Sequence, residues 1–341
     1  MDQPRKRTPW WSRTGTALAA DGTPLAFASG GPDTSRAIIC ANGLGVSTFF
    51  WDYVAERFTK DHHVLVWDYR GHGASGRPRD LKALKMATLA EDMVRVMDAN
   101  RVDRAIVLGH SLGCQVVLEL YRLFPDRVLG LVPMLGAFGH PADTFLDPRV
   151  GHYLYRAAYE VATRVPGAMN IASRLALRSP LAWPFARLTG LVHPDLCRRS
   201  DMEPYLEHLA LLDVAVFFEV ARAAQEHDAE PWLSEIRVPV LVVAGERDLF
   251  TPRHLSLEMV QRISGAELLE IPRGSHAALI EQPELINLRL EKFIRERIEP
   301  FERASIPANG HHHELATEPL RPAGTPSAPP PRRTSIPSFE R

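Results

Sequence analysis

The sequence predicts an α/β protein whose largely parallel, doubly wound sheet carries an inserted block of helices. Short, uniformly apolar runs recur along the chain, which is typical of strands covered on both faces. Helical patterns lie between several of these runs, as expected where crossover helices join parallel strands. Between residues 140 and 232 the apolar runs stop and long helical patterns replace them. We interpret that segment as a helical cap inserted into the sheet domain.

Composition narrows the class of protein further. The chain has 341 residues, is 45% hydrophobic and carries a formal net charge of −1. This length can bury a large core, and the near-zero charge argues against nucleic acid as a partner. The three cysteines, Cys40, Cys114 and Cys197, have neither the even count of a disulfide framework nor metal-site spacing. We therefore expect a reducing compartment and no metal.

No part of the sequence looks like a membrane or export signal. The N-terminus lacks the apolar h-region of a signal peptide. Nowhere do about 18 apolar residues run together, as a transmembrane helix requires. We expect a cytoplasmic protein without a transmembrane segment.

The strand signals have a regular order. Thr16 to Ala28 is expected to form a hairpin about Asp21-Gly22, a pair favoured in two-residue turns. Further strands are expected at residues 37–41, 64–67, 105–108, 128–135, 240–244 and 268–271. Helical patterns at residues 89–100, after Ser111, and at residues 283–298 are expected to cover the sheet.

The expected domain organisation has four parts. They are an N-terminal extension at 1–15, a core at 16–139 and 233–299, a helical cap at 140–232, and a tail at 300–341. In the cap, helices are expected at 151–165, 169–178 and 202–228, separated by prolines. The tail is rich in proline, so we expect it to be disordered and to lie outside the folded core.

Ser111 is the candidate nucleophile. It lies in a Gly-His-Ser-Leu-Gly segment at residues 109–113, directly after one apolar run and directly before a helical pattern. A serine at a tight turn between strand and helix is the nucleophile elbow. Such a turn strains the serine backbone and needs small neighbours, and Gly109 and Gly113 meet that need.

Ser111 requires a base, because a serine hydroxyl is protonated at neutral pH, and the base requires an acid to orient it. His276 follows the expected strand that ends at Ile271. Asp248 follows the strand at 240–244, at the carboxyl edge where sites collect in this architecture. The order Ser, Asp, His is that of the hydrolase triad. Asp143 is an alternative acid, and Asp248 is preferred.

From about Thr16 to Arg297 the chain resembles the cap-bearing branch of the α/β-hydrolase superfamily. Besides the elbow, the matching segments are Asp-Tyr-Arg-Gly-His-Gly-Ala-Ser at 68–75, the G-x-x-D-x-x-x-P loop at 245–252, and Gly-Ser-His at 274–276 followed by Glu-Gln-Pro-Glu at 281–284. The resemblance implies an eight-stranded α/β-hydrolase fold and a serine hydrolase that needs no cofactor. It does not specify the reaction, because many chemistries share this fold.

The resemblance also implies an oxyanion hole made by two backbone N–H groups. One would come from Leu112, directly after the elbow serine, and the other from Leu44 in the loop at 42–45. Each such donor contributes about 3 kcal/mol to lowering the barrier. Asn42 stands where the family usually has histidine. Because the donors are main-chain groups, this change need not remove the hole.

The reaction expected from these parts is cleavage of a carboxylic ester, a small-molecule partner, through an acyl-enzyme. A cap stretch at 209–220 is apolar nearly all round, which favours a hydrophobic acyl or alcohol group. Phe217 and Phe218 in that stretch are candidate substrate contacts. Trp51 is a third candidate, and it either lines the pocket or packs beneath it.

Other functions remain open at this point. The same triad serves cofactor-free perhydrolases or haloperoxidases, lactonases and carbon–carbon hydrolases. A ligand-binding receptor module with incidental hydrolysis is a further alternative. The sequence does not indicate the oligomeric state.

Several other polar residues receive structural interpretations. His72 is expected to brace its loop, and His110 to pack rather than to catalyse. His208 and His227 are expected on the surface of the cap helices. Cys114 is interpreted as a small core residue, not a reactive thiol.

Overall fold

A single eight-stranded sheet organises the protein. The computed structural model describes residues 9–144 and 148–305. Within them the strand order is β1-β2-β4-β3-β5-β6-β7-β8. The strands are β1 (Arg13–Leu18), β2 (Pro24–Gly30), β3 (Ala37–Ala41), β4 (His63–Trp67), β5 (Ala105–His110), β6 (Val128–Met134), β7 (Leu241–Gly245) and β8 (Glu267–Ile271).

The sheet is mostly parallel, as predicted. β1 and β2 form the expected antiparallel hairpin, and β2 also runs antiparallel to β4. Every other neighbouring pair is parallel. The carboxyl ends of β5, β7 and β8 therefore meet along one edge of the sheet, and this edge holds the candidate site.

Helices cover both faces of the sheet, which explains the uniformly apolar strands. Ile39 and Val107 point into one core, and their neighbours Ile38 and Ile106 point into the other. The helices outside the cap are α1 (Asp52–Phe58), α2 (Met86–Ala99), α3 (Leu112–Leu123), α10 (Arg253–Arg262), α11 (Ala278–Glu281) and α12 (Pro283–Phe293). Because side chains alternate along a strand, two covered faces require apolar residues at every position.

In the part of the cap that the structure describes, the main elements are helices joined by turns, with one isolated bridge from Asp228 to Gly139. Its helices are α4 (Pro141–Thr144), α5 (Pro148–Arg164), α6 (Pro166–Leu177), α7 (Ala182–Leu188), α8 (Arg199–Leu211) and α9 (Val214–Gln225). The prediction of one helix over 202–228 was wrong. The first helix ends at Leu211, and Leu212 is extended. The Asp213 carboxylate then accepts the Ala215 N–H at 2.9 Å and so caps the next helix.

Both outer boundaries of the core differ from the prediction. β1 begins at Arg13, which pairs with Ser29, so the sheet extends three residues into the expected N-terminal extension. At the other end a π-helix at Ile294–Ile298 leads into α13 (Glu299–Ser305), beyond the expected start of the tail. The helix continues without a break through this segment, and Pro300, which has no N–H to donate, lies directly after the π-helical turns. Residues 1–8 and 306–341, which include most of the expected tail, lie outside the described residues.

None of the helices within residues 9–144 and 148–305 has both the length and the apolar character that crossing a membrane requires.

Candidate active site

Ser111 occupies a strained turn between β5 and α3. Its φ and ψ are 55° and −118°, a conformation that a residue with a side chain rarely adopts. The Ser111 N–H donates to the Met134 carbonyl at 2.9 Å and holds the turn against β6. A Cβ on Gly113 would lie 2.3 Å from the Ala41 carbonyl oxygen, so only glycine fits there. The local geometry is that of a nucleophile elbow.

The structure brings Ser111, His276 and Asp248 into one hydrogen-bonded row. Nε2 of His276 lies 2.9 Å from Oγ of Ser111. Nδ1 of the same ring lies 2.9 Å from Oδ2 of Asp248. Asp248 follows β7 and His276 follows β8. Because these strands are neighbours in the sheet, the two side chains lie close together at its edge. Asp143, the alternative acid, lies in α4, while Asp248 occupies the position next to His276.

The Asp248 carboxylate is buried and held by several donors. Its Oδ1 accepts the N–H groups of Phe250 and Thr251, at 2.8 and 3.0 Å. Its Oδ2 accepts the Thr251 hydroxyl at 2.7 Å. Burial alone raises the pKa of this carboxyl, but the His276 imidazole and the Thr251 donors outweigh it, and the pKa lies below its ordinary value. The group is therefore an oriented carboxylate facing the imidazole.

The loop at 42–45 lies against the elbow. A Cβ on Gly43 would be 3.2 Å from the Cβ of Ser111. Asn42 replaces the histidine of the family and is well held: its Nδ2 donates to the Trp67 carbonyl at 2.7 Å, and its own carbonyl accepts the Tyr69 hydroxyl at 2.7 Å. Asn42 therefore anchors the loop through its side chain and its backbone.

The two residues expected to supply the oxyanion donors, Leu44 and Leu112, line the same cavity as Ser111. Leu112 is the first residue of α3, where helix geometry leaves the N–H without an intrahelical acceptor. Leu44 lies in the loop beside the elbow and lines the same cavity as Ser111. Among the hydrogen bonds of the described residues, neither N–H has an acceptor. Both groups are thus open to a ligand oxygen.

Trp51 does not line the cavity, and of its two expected placements the structure shows the one beneath the pocket. The side chain is fully buried, and its indole N–H donates to Oδ1 of Asn42 at 2.9 Å. It belongs to the 3-10 helix Thr48–Trp51, which turns the ring beneath the loop. Trp51 supports the oxyanion loop from below.

A cavity of about 480 Å³ lies between the sheet edge and the cap, with Ser111 and His276 in its wall. The cap contributes mainly apolar side chains to it. The cap residues of the wall include Leu154, Tyr155, Met202, Tyr205, Phe217, Phe218 and Ala221. Phe217 and Phe218, which the apolar stretch predicted as substrate contacts, both lie in the cavity wall. Because polar groups in the wall are few, the cavity suits an apolar ligand group.

Two histidines of the cap lie at contacts with the core, not on the surface as predicted. Nδ1 of His208 donates to the Gly45 carbonyl at 2.9 Å, and its Nε2 accepts the Gly73 N–H at 2.8 Å. His227 lies between Gln115 and Glu119, at 3.3 and 3.4 Å. The local sequence gave no sign of these contacts, because the partners are distant in sequence.

The structural interpretations of His72 and Cys114 agree with their surroundings. His72 is buried and its Nδ1 donates to the Arg70 carbonyl at 3.2 Å, and burial lowers its pKa to about 4. The Cys114 thiol donates to the carbonyls of Gly109 and Met134, each at 3.3 Å, and burial raises its pKa well above the ordinary value. Across residues 9–144 and 148–305, no group of three or more His, Cys, Asp and Glu side chains is placed to hold a metal ion.

Comparison with known proteins agrees with this geometry. The family model described as the alpha/beta hydrolase fold matches residues 36–283. The chain belongs to the α/β-hydrolase family. Among curated relatives, the α/β-hydrolase named "Putative carbamate hydrolase RutD" from Azorhizobium caulinodans is 29% identical over 264 residues, covering 76% of this chain and 91% of that protein. The protein of the same name from Caulobacter vibrioides is 28% identical over 266 residues, covering 78% of this chain and 93% of its own length.

Solved α/β-hydrolase structures share the fold. A hydrolase from Pseudomonas aeruginosa has a TM-score of 0.67 at 24% identity, covering 83% of this chain and 98% of its own. The enol-lactonase from Burkholderia xenovorans has a TM-score of 0.65 at 23% identity, with coverage of 83% and 100%. These structural similarities show the fold. Because the chain belongs to the α/β-hydrolase family, we class it as a hydrolase.

Proposed function

We propose that the protein is a serine hydrolase that cleaves carboxylic esters with a bulky apolar acyl or alcohol group. One observation carries this proposal. The hydrogen-bonded row of Ser111, His276 and Asp248 lies in the wall of a mainly apolar cavity of about 480 Å³. An activated hydroxyl beside an apolar cavity suits acyl transfer from a lipophilic ester.

The first half of the reaction forms an acyl-enzyme. Oγ of Ser111 attacks the ester carbonyl carbon while its proton moves to Nε2 of His276. Asp248 accepts the Nδ1–H and stabilises the imidazolium. The carbonyl electron pair moves onto oxygen, which the N–H groups of Leu44 and Leu112 receive. The tetrahedral adduct then expels the alkoxide, which takes the proton from His276 and leaves as the alcohol.

The second half returns the enzyme to its starting state. Water attacks the acyl carbon and gives one proton to Nε2 of His276. The adduct collapses, the C–O bond to Ser111 breaks, and Oγ recovers the proton from the imidazolium. The products are the carboxylic acid and the free enzyme, so no cofactor is consumed.

The cavity wall supports an apolar substrate group over a small polar one. Each buried methylene stabilises binding by about 0.8 kcal/mol, which is about fourfold in affinity. A substrate of only a few atoms would leave most of the aromatic wall around Phe217 and Phe218 without contacts. The name of the curated relatives gives a carbamate group but no size for the rest of the molecule, so it does not decide between a carbamate and an ester here.

An ester series tests the substrate class. We expect a higher kcat/KM for p-nitrophenyl octanoate than for the acetate, with Ser111→Ala as the blank for both. In Phe218→Trp the larger ring occupies part of the cavity, so kcat/KM should fall for the octanoate and change little for the acetate. A clear preference of the wild type for acetate would contradict an apolar group in this cavity.

A second set of measurements separates hydrolysis from the alternatives. A fluorophosphonate probe should label the wild type and not Ser111→Ala, because only an activated serine reacts. Esters should turn over many times and faster than aryl carbamates, lactones or thioesters. Faster turnover of a carbamate or a lactone would replace the ester assignment, and peroxide-dependent bromination would indicate a perhydrolase. Labelling without repeated turnover would indicate a receptor.

A further inference from the structure

The cap presents an unusual number of large apolar side chains to solvent. We define the cap apolar face as the strongly exposed apolar residues of α5, α6, α7 and the short links between them. They are Tyr153, Leu154, Val161, Val165, Ile171, Leu175, Leu181, Phe185 and Leu188. Leu188 is 85% exposed and Leu175 is 69% exposed, so the residues that the structure describes give these side chains little cover. Exposed apolar surface on this scale marks an interaction site.

The exposed residues follow helical spacing. Leu154, Val161 and Val165 are separated by seven and then four residues, which places them along one side of α5 and its end. Ile171 and Leu175 are separated by four residues on α6. On α7 and its preceding residue, Leu181, Phe185 and Leu188 follow the same rule. Three consecutive helices therefore each turn an apolar stripe outward.

The same helices carry a strong excess of positive charge. Residues 148–188 contain six arginines and one glutamate, a formal charge of +5, whereas the whole chain has a formal net charge of −1. The arginines are exposed at Arg156, Arg164, Arg174, Arg178 and Arg187. Arg174 and Arg178 lie within one turn of the α6 stripe, and Arg178 also pairs with Glu207 of α8 at 3.0 Å. Long arginine side chains beside an apolar stripe can reach outward to anionic groups while their stems stay on apolar surface.

From this arrangement we infer that the cap apolar face binds the surface of anionic lipid membranes. Helices that lie in the membrane interface combine an outward apolar side with arginine or lysine, as α5 to α7 do. The apolar side chains enter the boundary between headgroups and acyl chains, and the guanidinium groups bind lipid phosphates. This is attachment to one leaflet. The inference goes beyond the proposed hydrolysis and does not require it.

Charge argues against two other occupants of this face. In a dimer with a two-fold axis through this face, residues 148–188 of the two copies would lie against each other. Each segment has a formal charge of +5, so the two would repel each other. The protein's own segment 306–341 carries four arginines and three glutamates, so it has no negative charge in excess to complement the cap. An anionic bilayer supplies both the negative charge and the apolar layer.

Docking through this face has a consequence for the cavity. Leu154 belongs to the cap apolar face, at 57% exposure, and also lines the cavity that contains Ser111. The face and the cavity therefore adjoin at α5. A lipophilic molecule could pass from the membrane to the cavity with little contact with water.

Vesicle flotation with the full-length chain tests the inference. Binding is measured in the Ser111→Ala background, so that any hydrolysis of lipid cannot alter the result. We expect binding to vesicles of phosphatidylcholine and phosphatidylglycerol, little binding to pure phosphatidylcholine, and loss of binding at high salt because the charges are exposed. Equal binding to both vesicle types, or no binding to either, would overturn the inference.

Matched variants locate the binding surface. Ile171→Ser with Leu175→Ser, and separately Arg174→Glu, should each weaken binding by about tenfold or more. The controls lie elsewhere: Leu288→Ser removes a leucine of similar exposure, 65%, on α12, and Arg295→Glu reverses a 67% exposed arginine. Both controls should bind like the wild type. If the cap variants and the control variants weakened vesicle binding equally, the cap apolar face would not be the lipid-binding surface.

Analytical ultracentrifugation without lipid addresses the self-association alternative. We expect that the cap variants leave the oligomeric state unchanged. A wild-type dimer that the Ile171→Ser, Leu175→Ser variant converts to a monomer would assign the face to a second copy instead of a membrane. Circular dichroism and thermal unfolding that match those of Ser111→Ala alone would show that the cap variants fold, so loss of vesicle binding cannot be attributed to unfolding.

Discussion

The imidazole of His110 supports the backbone of His276. Nε2 of His110 donates a hydrogen bond to the His276 carbonyl at 3.0 Å, and the two rings lie 5.2 Å apart. Burial, together with repulsion from a charged His276, lowers the pKa of His110 to about 3, so its ring is neutral with the proton on Nε2. His110 directly precedes Ser111 in the chain. The bond therefore ties the segment of the nucleophile to that of the proposed base.

We expect His110→Phe to lower kcat by about tenfold with little change in KM, because the ring volume stays and one hydrogen bond is lost. Steady-state kinetics on a chromogenic ester would measure both constants. His110→Gln, which can donate from its amide, should recover part of kcat. If His110→Phe lost only thermal stability and kept its kcat, His110 would have a packing role alone.

Asp248→Asn should reduce kcat by about 10³ to 10⁴ while the fold remains intact. Asparagine has nearly the same shape, but it presents no negative charge to the imidazole and favours the wrong tautomer. Circular dichroism would establish the fold, and the same ester assay would give kcat. The control is Asp143→Asn, the other candidate acid, for which we expect nearly full activity. The reverse pattern would reassign the acid.

Trp51→Phe should affect catalysis although Trp51 does not line the cavity. The change leaves Oδ1 of Asn42 buried without its indole donor, at a cost of about 1 to 3 kcal/mol in the free energy of unfolding. A looser oxyanion loop should also lower kcat. Urea unfolding and ester kinetics would report the two effects.

Trp10→Phe is a control of the same type, because its indole N–H donates at 3.0 Å to Oδ1 of Asp52, at the start of α1, and not to the loop at 42–45. Trp10→Phe should lose stability and keep kcat. Equal kcat values for Trp51→Phe and the wild type would mean that Trp51 does not act on the oxyanion loop.

Glu119 should make the stability of the protein depend on pH in the acid range. Its carboxylate accepts two hydrogen bonds from Arg122, at 2.8 and 2.6 Å, and is contacted by His227. Burial raises the pKa of Glu119, but Arg122 and His227 outweigh it and hold the pKa at about 2, below its ordinary value of 4.5. A pKa that is depressed in the folded state stabilises the fold above the unfolded value. That contribution is lost as the pH falls from about 4.5 through about 2.

Glu119→Gln tests this dependence. Relative to the wild type, the variant should unfold about 1 to 3 kcal/mol more easily at neutral pH, and the two should converge near pH 2. Chemical denaturation at several pH values would measure the difference. Glu235→Gln, at an exposed position, should show no such trend. A constant difference across the acid range would mean that ionisation of Glu119 is not responsible.

Much of the core could be predicted from local sequence. The apolar runs located the strands because a strand covered on both faces has no polar position. β3 occupies residues 37–41 as predicted, and β8 differs from its prediction by one residue. The Gly-His-Ser-Leu-Gly segment indicated the elbow because its sterics depend on adjacent residues. The chain order of Ser111, Asp248 and His276 indicated which side chains to expect at the sheet edge.

Other features depend on contacts between distant segments, which local patterns do not encode. Whether Trp51 faces the cavity or the underside of the loop is decided by Asn42, whose side chain needs an N–H donor in the core. His208 lies at the cap–core boundary because Gly45 and Gly73 meet there in the fold. The break before α9 did have a local signal, since Asp213 is a good N-cap residue.

Local sequence accounts for the strands, the strained serine turn and the identity of the three polar side chains, because each of these follows from neighbouring residues. Packing between distant segments sets the 2.9 Å distance from an imidazole nitrogen to the serine oxygen, and it turns one set of apolar cap side chains toward the cavity and another toward solvent. The physical reason is that the direction of a side chain depends on how helices and strands far apart in the chain pack together.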